Sequence, residues 1–191
     1  MFSRMRNTSV ADTLTPSLES LGVHGVDTDA IPFPIDDPKS AKRNVIYLFK
    51  GLRILLERLE GDIRKGTDST GKSWSNKMPA AYGYLDGTKD ADDEDVDVYV
   101  AQSTFVDSDI AYVIDQINPT TREFDEHKVM LGFGSESDAR ETYVKAYGGQ
   151  GEKRIGAITA ISIDQLKSWM VSSGTATAIA TQEIHLAKQD S

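Results

Sequence analysis

The sequence contains no cysteine and only three histidines among its 191 residues. Without cysteine the chain can form neither a disulfide framework nor a thiolate metal site. The histidines, His24, His127 and His185, lie too far apart in the sequence to indicate a zinc cluster. Each is therefore interpreted as an ordinary surface or packing residue.

Basic residues are also scarce: 21 lysines and arginines face 30 aspartates and glutamates, which gives a net charge of -9. This balance argues against binding of nucleic acid or of an acidic membrane through the bulk of the surface. No apolar run approaches the length that spans a bilayer. The first ten residues are basic but lack an apolar core, so no secretory signal is expected.

The acidic residues concentrate in one stretch. Seven of the twelve residues from 86 to 97 are acidic, and only Lys89 is basic among them. Carboxylates packed this closely repel one another, and a hard divalent cation with oxygen ligands would relieve the repulsion. A solvated acidic loop is the alternative interpretation. A calcium-binding loop counted from Asp90 is excluded, because Asp95 and Ala101 stand where its Gly and Glu are required.

The end of this stretch has the pattern of a strand. Apolar and polar residues alternate strictly over residues 95–100, which is the period of a half-buried β-strand. The valines then face one way, and Asp95, Asp97 and Tyr99 face the other. We therefore expect Asp97 to project from a rigid element, with Asp92 and Glu94 in the loop just before it.

The chain before this stretch divides into two predicted segments. Residues 1–43 hold four of the six prolines and few periodic apolar positions, which predicts an extended arm. Leucines and other apolar residues then recur at helical spacing up to Gly61. Residues 44–60 are accordingly predicted to form an amphipathic helix of about four turns.

The chain after the acidic stretch shows a hairpin and two helices. Residues 111–117 and 127–133 are predicted strands joined by a turn at Asn118-Pro119-Thr120. Ser135 and Ser162 are predicted to cap helices, with a strand over residues 154–161 between them. The main domain is placed at residues 61–174, and residues 175–191 are predicted to be an edge strand or a docked tail.

Several of these motifs together resemble the soluble inorganic pyrophosphatases, of the type encoded by bacteriophages. The triplet Tyr82-Gly83-Tyr84, then Thr88, and then the acidic run of residues 92–98 follow the spacing of that family's signature without a gap. The segments GTDSTGKSW at residues 66–74 and FDEHKVMLGF at residues 124–133 strengthen the resemblance to the phage-encoded domains.

The resemblance implies a set of functional residues. Five acids would bind Mg²⁺, with Mn²⁺ as an alternative: Asp92, Glu94, Asp97, Asp115 and Glu126, or Asp125 in place of Glu126. Glu94 would also position the attacking water, and Lys128 and Tyr82 are further candidate catalytic residues. Lys65, Lys72 and Tyr147 would bind the phosphate groups of the substrate.

Three positions depart from the family pattern. Met78 stands where the family has a phosphate-contacting tyrosine. Glu94 replaces an aspartate and is longer by one methylene group. Gly148 occupies the place of a phosphate-binding lysine, so that Lys153 or Arg154 would have to substitute for it.

The resemblance also implies a fold, a function and a location. The expected fold is α+β, with a five-stranded, partly closed barrel of the oligonucleotide-binding type flanked by two or three helices. The expected function is Mg²⁺-dependent hydrolysis of pyrophosphate or a related phosphoanhydride in the cytoplasm of an infected host. The alternative is a capsid- or portal-associated virion protein that keeps the fold with reduced or no activity. Its N-terminal arm would then bind other virion proteins or a second copy of the chain.

Overall fold

Most of the described chain is β-structure. The computed structural model describes residues 45–67 and 71–182, and the predicted arm of residues 1–43 lies outside them. The strands are β1 (Val45–Phe49), β2 (Leu52–Arg58), β3 (Ile63–Thr67), β4 (Ser73–Lys77), β5 (Ala81–Leu85), β6 (Asp97–Val100), β7 (Ile110–Ile117), β8 (Phe124–Leu131) and β9 (Ile155–Ser162). The two α-helices are α1 (Glu136–Ala146) and α2 (Ile163–Met170). The α+β class is thus confirmed.

The main sheet is open and has seven strands, in the order β1-β2-β5-β6-β8-β7-β9. Neighbouring strands are antiparallel except β6 and β8, which are parallel. The expected five-stranded, partly closed barrel is therefore wrong. Strands β1 and β2 extend the sheet at one edge while β9 forms the opposite edge, so the described strands do not close on themselves.

The predicted helix at residues 44–60 is also wrong, because this segment forms the hairpin β1–β2. Lys50 and Gly51 both have positive φ angles, 48° and 81°, and make the two-residue turn between the strands. Such a turn matches the right-handed twist of paired strands. The buried residues Tyr47, Leu52 and Ile54 then fall on one face of the hairpin with a period of two.

Strands β3 and β4 form a separate two-stranded ribbon. Its residues are exposed or partly exposed throughout, so it packs against the domain only through parts of its inner face. Residues of β3 alternate between the two faces of the ribbon, with Arg64 on the more buried face and Lys65 on the exposed face.

The hairpin, the strand and the two helices predicted after residue 110 are present, although β8 covers residues 124–131 and not 127–133. Strands β7 and β8 form an antiparallel hairpin. Ser135 caps α1 by accepting a hydrogen bond from the backbone N–H of Asp138. Ser162 and Gln165 form a reciprocal capping box at the start of α2.

The sheet carries an apolar cluster on each face. Helix α2 covers one cluster, which contains Val98, Val129 and Trp169. Helix α1 covers the other, which contains Tyr99, Met130 and Tyr143. Because successive strand residues point to opposite faces, a shift of one residue decides which cluster a side chain joins.

The described end of the chain docks on the sheet through two 3₁₀ turns, Ser173–Ala176 and Ile179–Thr181. Ile179 is buried among the residues covered by α2. Over residues 175–182 this agrees with a docked tail and not with an edge strand, while residues 183–191 lie outside the described part. None of the helices described is long and apolar enough to cross a bilayer.

Candidate functional site

A buried ammonium group, that of Lys128, forms the centre of the site. Lys128 lies on β8, and its side chain is 4% exposed. Its Nζ contacts the carboxylate of Asp97 in a short ion pair and lies 2.6 Å from Oε2 of Glu126. The Tyr82 hydroxyl donates to the same Asp97 carboxylate at 2.7 Å. These four side chains are named the Lys128 cluster.

The pairing of strands explains why the cluster forms. Asp97 on β6 is in register with Lys128 on the parallel neighbour β8. Glu126 precedes Lys128 by two residues and therefore shares its face. Tyr82 reaches the cluster from β5, the other neighbour of β6. The sequence prediction that Asp97 projects from a rigid strand is thus confirmed.

Burial and charge act together on the pKa values in the cluster. Burial raises the pKa of Glu126, and the ammonium of Lys128 opposes this rise only in part. Burial lowers the pKa of Lys128, but the surrounding negative charge, led by Asp97, outweighs burial and leaves its pKa above the ordinary value. The direction of this pKa shift favours the charged form of Lys128. Burial and then Asp97 raise the pKa of Tyr82, which remains a hydrogen-bond donor.

A cleft of about 650 Å³ opens beside the cluster. It is lined by residues of β2, the ribbon β3–β4, β5, β6 and the acidic loop: Glu57, Arg58, Arg64, Tyr82, Tyr84, Thr88, Lys89, Asp93, Glu94, Asp95 and Asp97. Tyr82 and Asp97 belong both to this lining and to the Lys128 cluster. The cleft therefore reaches the cluster at Tyr82 and Asp97.

Arg64 is the ribbon cation that faces the cleft, and sequence reasoning missed it. Its guanidinium lies 5.6 Å from the ring centroid of Trp74 and 5.9 Å from that of Tyr82. Two aromatic faces at these distances hold a guanidinium in place while its N–H groups remain donors. Lys65, the residue nominated from sequence, lies on the exposed face of the ribbon, and Lys72 is exposed near its tip.

The acidic loop contributes unequally to the cleft. Glu94 lines the cleft together with Asp97, as the sequence predicts. Asp92 is exposed and is absent from that lining, and its Oδ1 accepts a hydrogen bond from the Glu94 backbone N–H at 3.0 Å. Asp93, with a φ angle of 69°, forms an ion pair of 2.8 Å with Lys89. Asp92 thus shapes the loop instead of joining Glu94 in the cleft.

Asp115 does not join the cluster, contrary to the expectation that it binds metal there. It lies on the opposite face of the sheet, where its carboxylate accepts the backbone N–H groups of Ile179 and Ala180 at 2.8 and 3.0 Å. Its neighbour there is the ring of His127, 3.3 Å from Nε2 to Oδ1. Asp115 therefore anchors the docked C-terminal turn.

The buried side chain of His127 links Asp115 to Asp90 of the acidic loop. Both carboxylate oxygens of Asp90 contact His127. Oδ2 accepts a hydrogen bond from the His127 backbone N–H at 2.7 Å, and Oδ1 lies 2.7 Å from the ring Nδ1. Burial lowers the pKa of His127, but its contacts with Asp115 and Asp90 raise it above the ordinary value. Asp90, His127 and Asp115 together hold the acidic loop against β8, on the face of the sheet opposite Lys128.

Gln116 occupies the place beside the cluster that was expected for Asp115. It is buried, and its Nε2 donates to Glu126 Oε1 at 2.5 Å and to Asp125 Oδ2 at 3.1 Å. The hydroxyl groups of Tyr143 and Tyr147 both donate to its Oε1 at 2.7 Å. The expected residue Tyr147 thus reaches the neighbourhood of the cluster through an amide that the sequence did not single out.

The three departures from the family pattern have distinct structural outcomes. Met78 is buried among the residues under α1 and packs as an apolar side chain. Gly148 is exposed beyond the end of α1. Of the two cations proposed to replace a lysine there, Arg154 lies 5.3 Å from the ring centroid of Tyr147, whereas Lys153 is exposed.

The arrangement does not fit a resident metal ion. In the part of the chain that the structure describes, no group of three or more His, Asp or Glu side chains is placed to hold one. Lys128 lies between Asp97 and Glu126, where a cation bridging the two carboxylates would have to lie. Carboxylate oxygens are suitable Mg²⁺ ligands, but here the protein's own ammonium neutralises them.

The comparisons with known proteins identify a family. The family model described as Inorganic Pyrophosphatase matches residues 23–171, well over half of the chain. No curated protein and no solved structure gives a match. The matched region includes all the residues of the Lys128 cluster and of the cleft. The chain therefore belongs to the inorganic pyrophosphatase family.

Proposed function

We propose that the protein hydrolyses a phosphoanhydride, with the magnesium complex of pyrophosphate as its reference substrate. The proposal rests on one observation. In this chain of the pyrophosphatase family, Arg64 lines the cleft and lies close to Tyr82 of the Lys128 cluster. The guanidinium of Arg64 provides positive charge in the cleft for the oxygens of a phosphoanhydride. Mg²⁺ would enter as part of the substrate and offset the charge of its oxygens.

The residues in and beside the cleft would have different roles in the reaction. Arg64 would bind phosphate oxygens through two N–H groups, and Tyr82 would hold the Asp97 carboxylate in place through its hydrogen bond. Glu94 lines the same cleft and would accept a proton from the attacking water. As the water oxygen bonds to one phosphorus, the bridging P–O bond breaks and the second phosphate leaves. Lys128, which pairs with Asp97 beside the cleft, would hold that carboxylate in position.

Release of phosphate tests this proposal directly. Purified protein with Mg²⁺ or Mn²⁺ should release phosphate from pyrophosphate, and Asp97→Asn should reduce turnover about a hundredfold by removing the charge that orients Lys128 and Tyr82. Asp92→Asn is the matched control, because its carboxylate lies outside the cleft. No release by the wild-type protein, under conditions in which a known pyrophosphatase is active, contradicts the proposal.

A second proposal is that the chain is a phage virion component that keeps the family fold with reduced activity. The internal pairing of Lys128 with Asp97 and Glu126 favours reduced activity. The proline-rich sequence of residues 1–43 favours attachment to another surface. Purified particles should then contain a band of 20.9 kDa on a gel. Absence of this band from particles rules out the structural role.

A further inference from the structure

The amide of Gln116 is a fixed junction between α1 and the Lys128 cluster. Gln116 is 3% exposed, and all four of its hydrogen-bonding positions are used. Its oxygen accepts the hydroxyl groups of Tyr143 and Tyr147, and its nitrogen donates to Asp125 and Glu126. Ionised carboxylates only accept hydrogen bonds, so Asp125 and Glu126 require the N–H groups of the amide and leave its oxygen to the two phenols.

The amide of Gln116 also hydrogen-bonds to a carboxylate oxygen that would otherwise be available as a metal ligand. Oε1 of Glu126 accepts from Gln116, and Oε2 of Glu126 lies 2.6 Å from the Lys128 ammonium. Oδ2 of Asp97 is similarly occupied by Tyr82 and Lys128. The negative charge of this face is thus balanced by an amide and an ammonium that belong to the protein.

A carboxylate at position 116 would change this balance. A glutamate has the same length as glutamine and would still accept the hydroxyl groups of Tyr143 and Tyr147. It would lose the two donations and place a third negative charge beside Asp125 and Glu126. Carboxylates gathered in this way repel one another until a divalent ion lies between them.

We propose that Gln116 is a specificity-determining residue that keeps a resident divalent ion out of the Lys128 cluster. The substrate-free protein then binds divalent ions weakly at this place, and an ion enters with its phosphate ligand. This inference refines the proposed function but does not depend on turnover, because it concerns metal binding by the protein without substrate.

Calorimetric titration of the substrate-free protein with Mn²⁺ tests the inference. We expect Gln116→Glu to bind one Mn²⁺ at least about tenfold more tightly than the wild-type protein, since ligand charge sets the affinity of an oxygen site. Adding Glu126→Gln to that variant should remove the gain. Gln102→Glu is the matched control, because Gln102 is also buried but accepts the backbone N–H of Glu60 outside the cleft.

Two results would overturn the inference. One is an unchanged Mn²⁺ affinity in a Gln116→Glu variant that retains the wild-type circular dichroism spectrum. The other is tight Mn²⁺ binding by the wild-type protein that is lost in the Glu126→Gln variant. This result would show that an ion binds at the cluster although Gln116 is present. Phosphate release is measured separately, so a protein inactive on pyrophosphate could still confirm the metal result.

Discussion

Arg64 and Lys65 are adjacent in β3, but only the Arg64 guanidinium faces the cleft. Arg64→Ala should lower kcat/KM for pyrophosphate about a hundredfold, because it removes a positioned cation from the bound phosphate. Lys65→Ala should leave kcat/KM within about twofold of wild type, as is usual for an exposed substitution. Initial rates across substrate concentrations provide the measurement. Equal losses in the two variants would show that the ribbon binds phosphate through its outer face.

Adjacent residues of a strand face opposite ways, and this limited the prediction of site residues from the sequence. The placement of Glu94 and Asp97 close together could be predicted, because their motif is ungapped and Asp97 lies on a clearly alternating strand. The sequence predicts Asp115 and not Gln116 as the residue beside the cluster, because an acid is the expected metal ligand. The sequence does not show the register of the β7–β8 hairpin. The register pairs Asp115 with His127 and Gln116 with Glu126, and this pairing decides the face of each.

At the scale of single elements, Gly83 shows why a glycine lies between the two tyrosines of β5. A Cβ atom added at Gly83 would lie 1.9 Å from the backbone oxygen of Leu55 on β2. Gly83→Ala should therefore force the two strands apart and lower the free energy of unfolding by about 2 kcal/mol or more. Urea denaturation measures the change.

A matched control for Gly83 is available at Gly134. A Cβ added at Gly134 would meet its nearest neighbour, Asp138, at 3.4 Å, which is ordinary contact. Gly134→Ala should change the free energy of unfolding by less than about 0.5 kcal/mol. If Gly83→Ala were as mild as Gly134→Ala, the close approach of β5 to β2 would not be a feature of the folded protein.

Elements with local signals could be predicted from the sequence, and those set by long-range contacts could not. The caps Ser135 and Ser162 act within one helical turn, so α1 and α2 follow from their own residues. The apolar residues of 45–58 satisfy helical spacing and strand alternation alike. Pairing of β2 with β5 favours the strand, and the Lys50-Gly51 turn lacks the usual Asn-Gly or Asp-Gly signature.

At the scale of the whole molecule, the Lys128 cluster and the contacts that anchor the acidic loop lie on opposite faces of one sheet. Arg64, Tyr82 and Asp97 line the cleft, while His127 contacts both Asp90 and Asp115 on the other face of the sheet. Both sets come from residues 64–128, together with the backbone of the docked turn at residues 179–180. The described fold therefore contains every side chain that the proposed hydrolysis requires.

This separation predicts different outcomes for activity and assembly when residues 1–43 are removed. The truncated chain should unfold cooperatively and keep the kcat/KM of the full chain, because its cleft is intact. Any self-association of the full chain, measured by sedimentation velocity, should be lost, since residues 1–43 are the segment proposed to attach to another surface. Removal of residues 1–22, which precede the family match, is the matched control that leaves residues 23–171 whole. If the longer deletion abolished activity while the shorter one preserved it, residues 23–43 would belong to the catalytic domain and not to an arm.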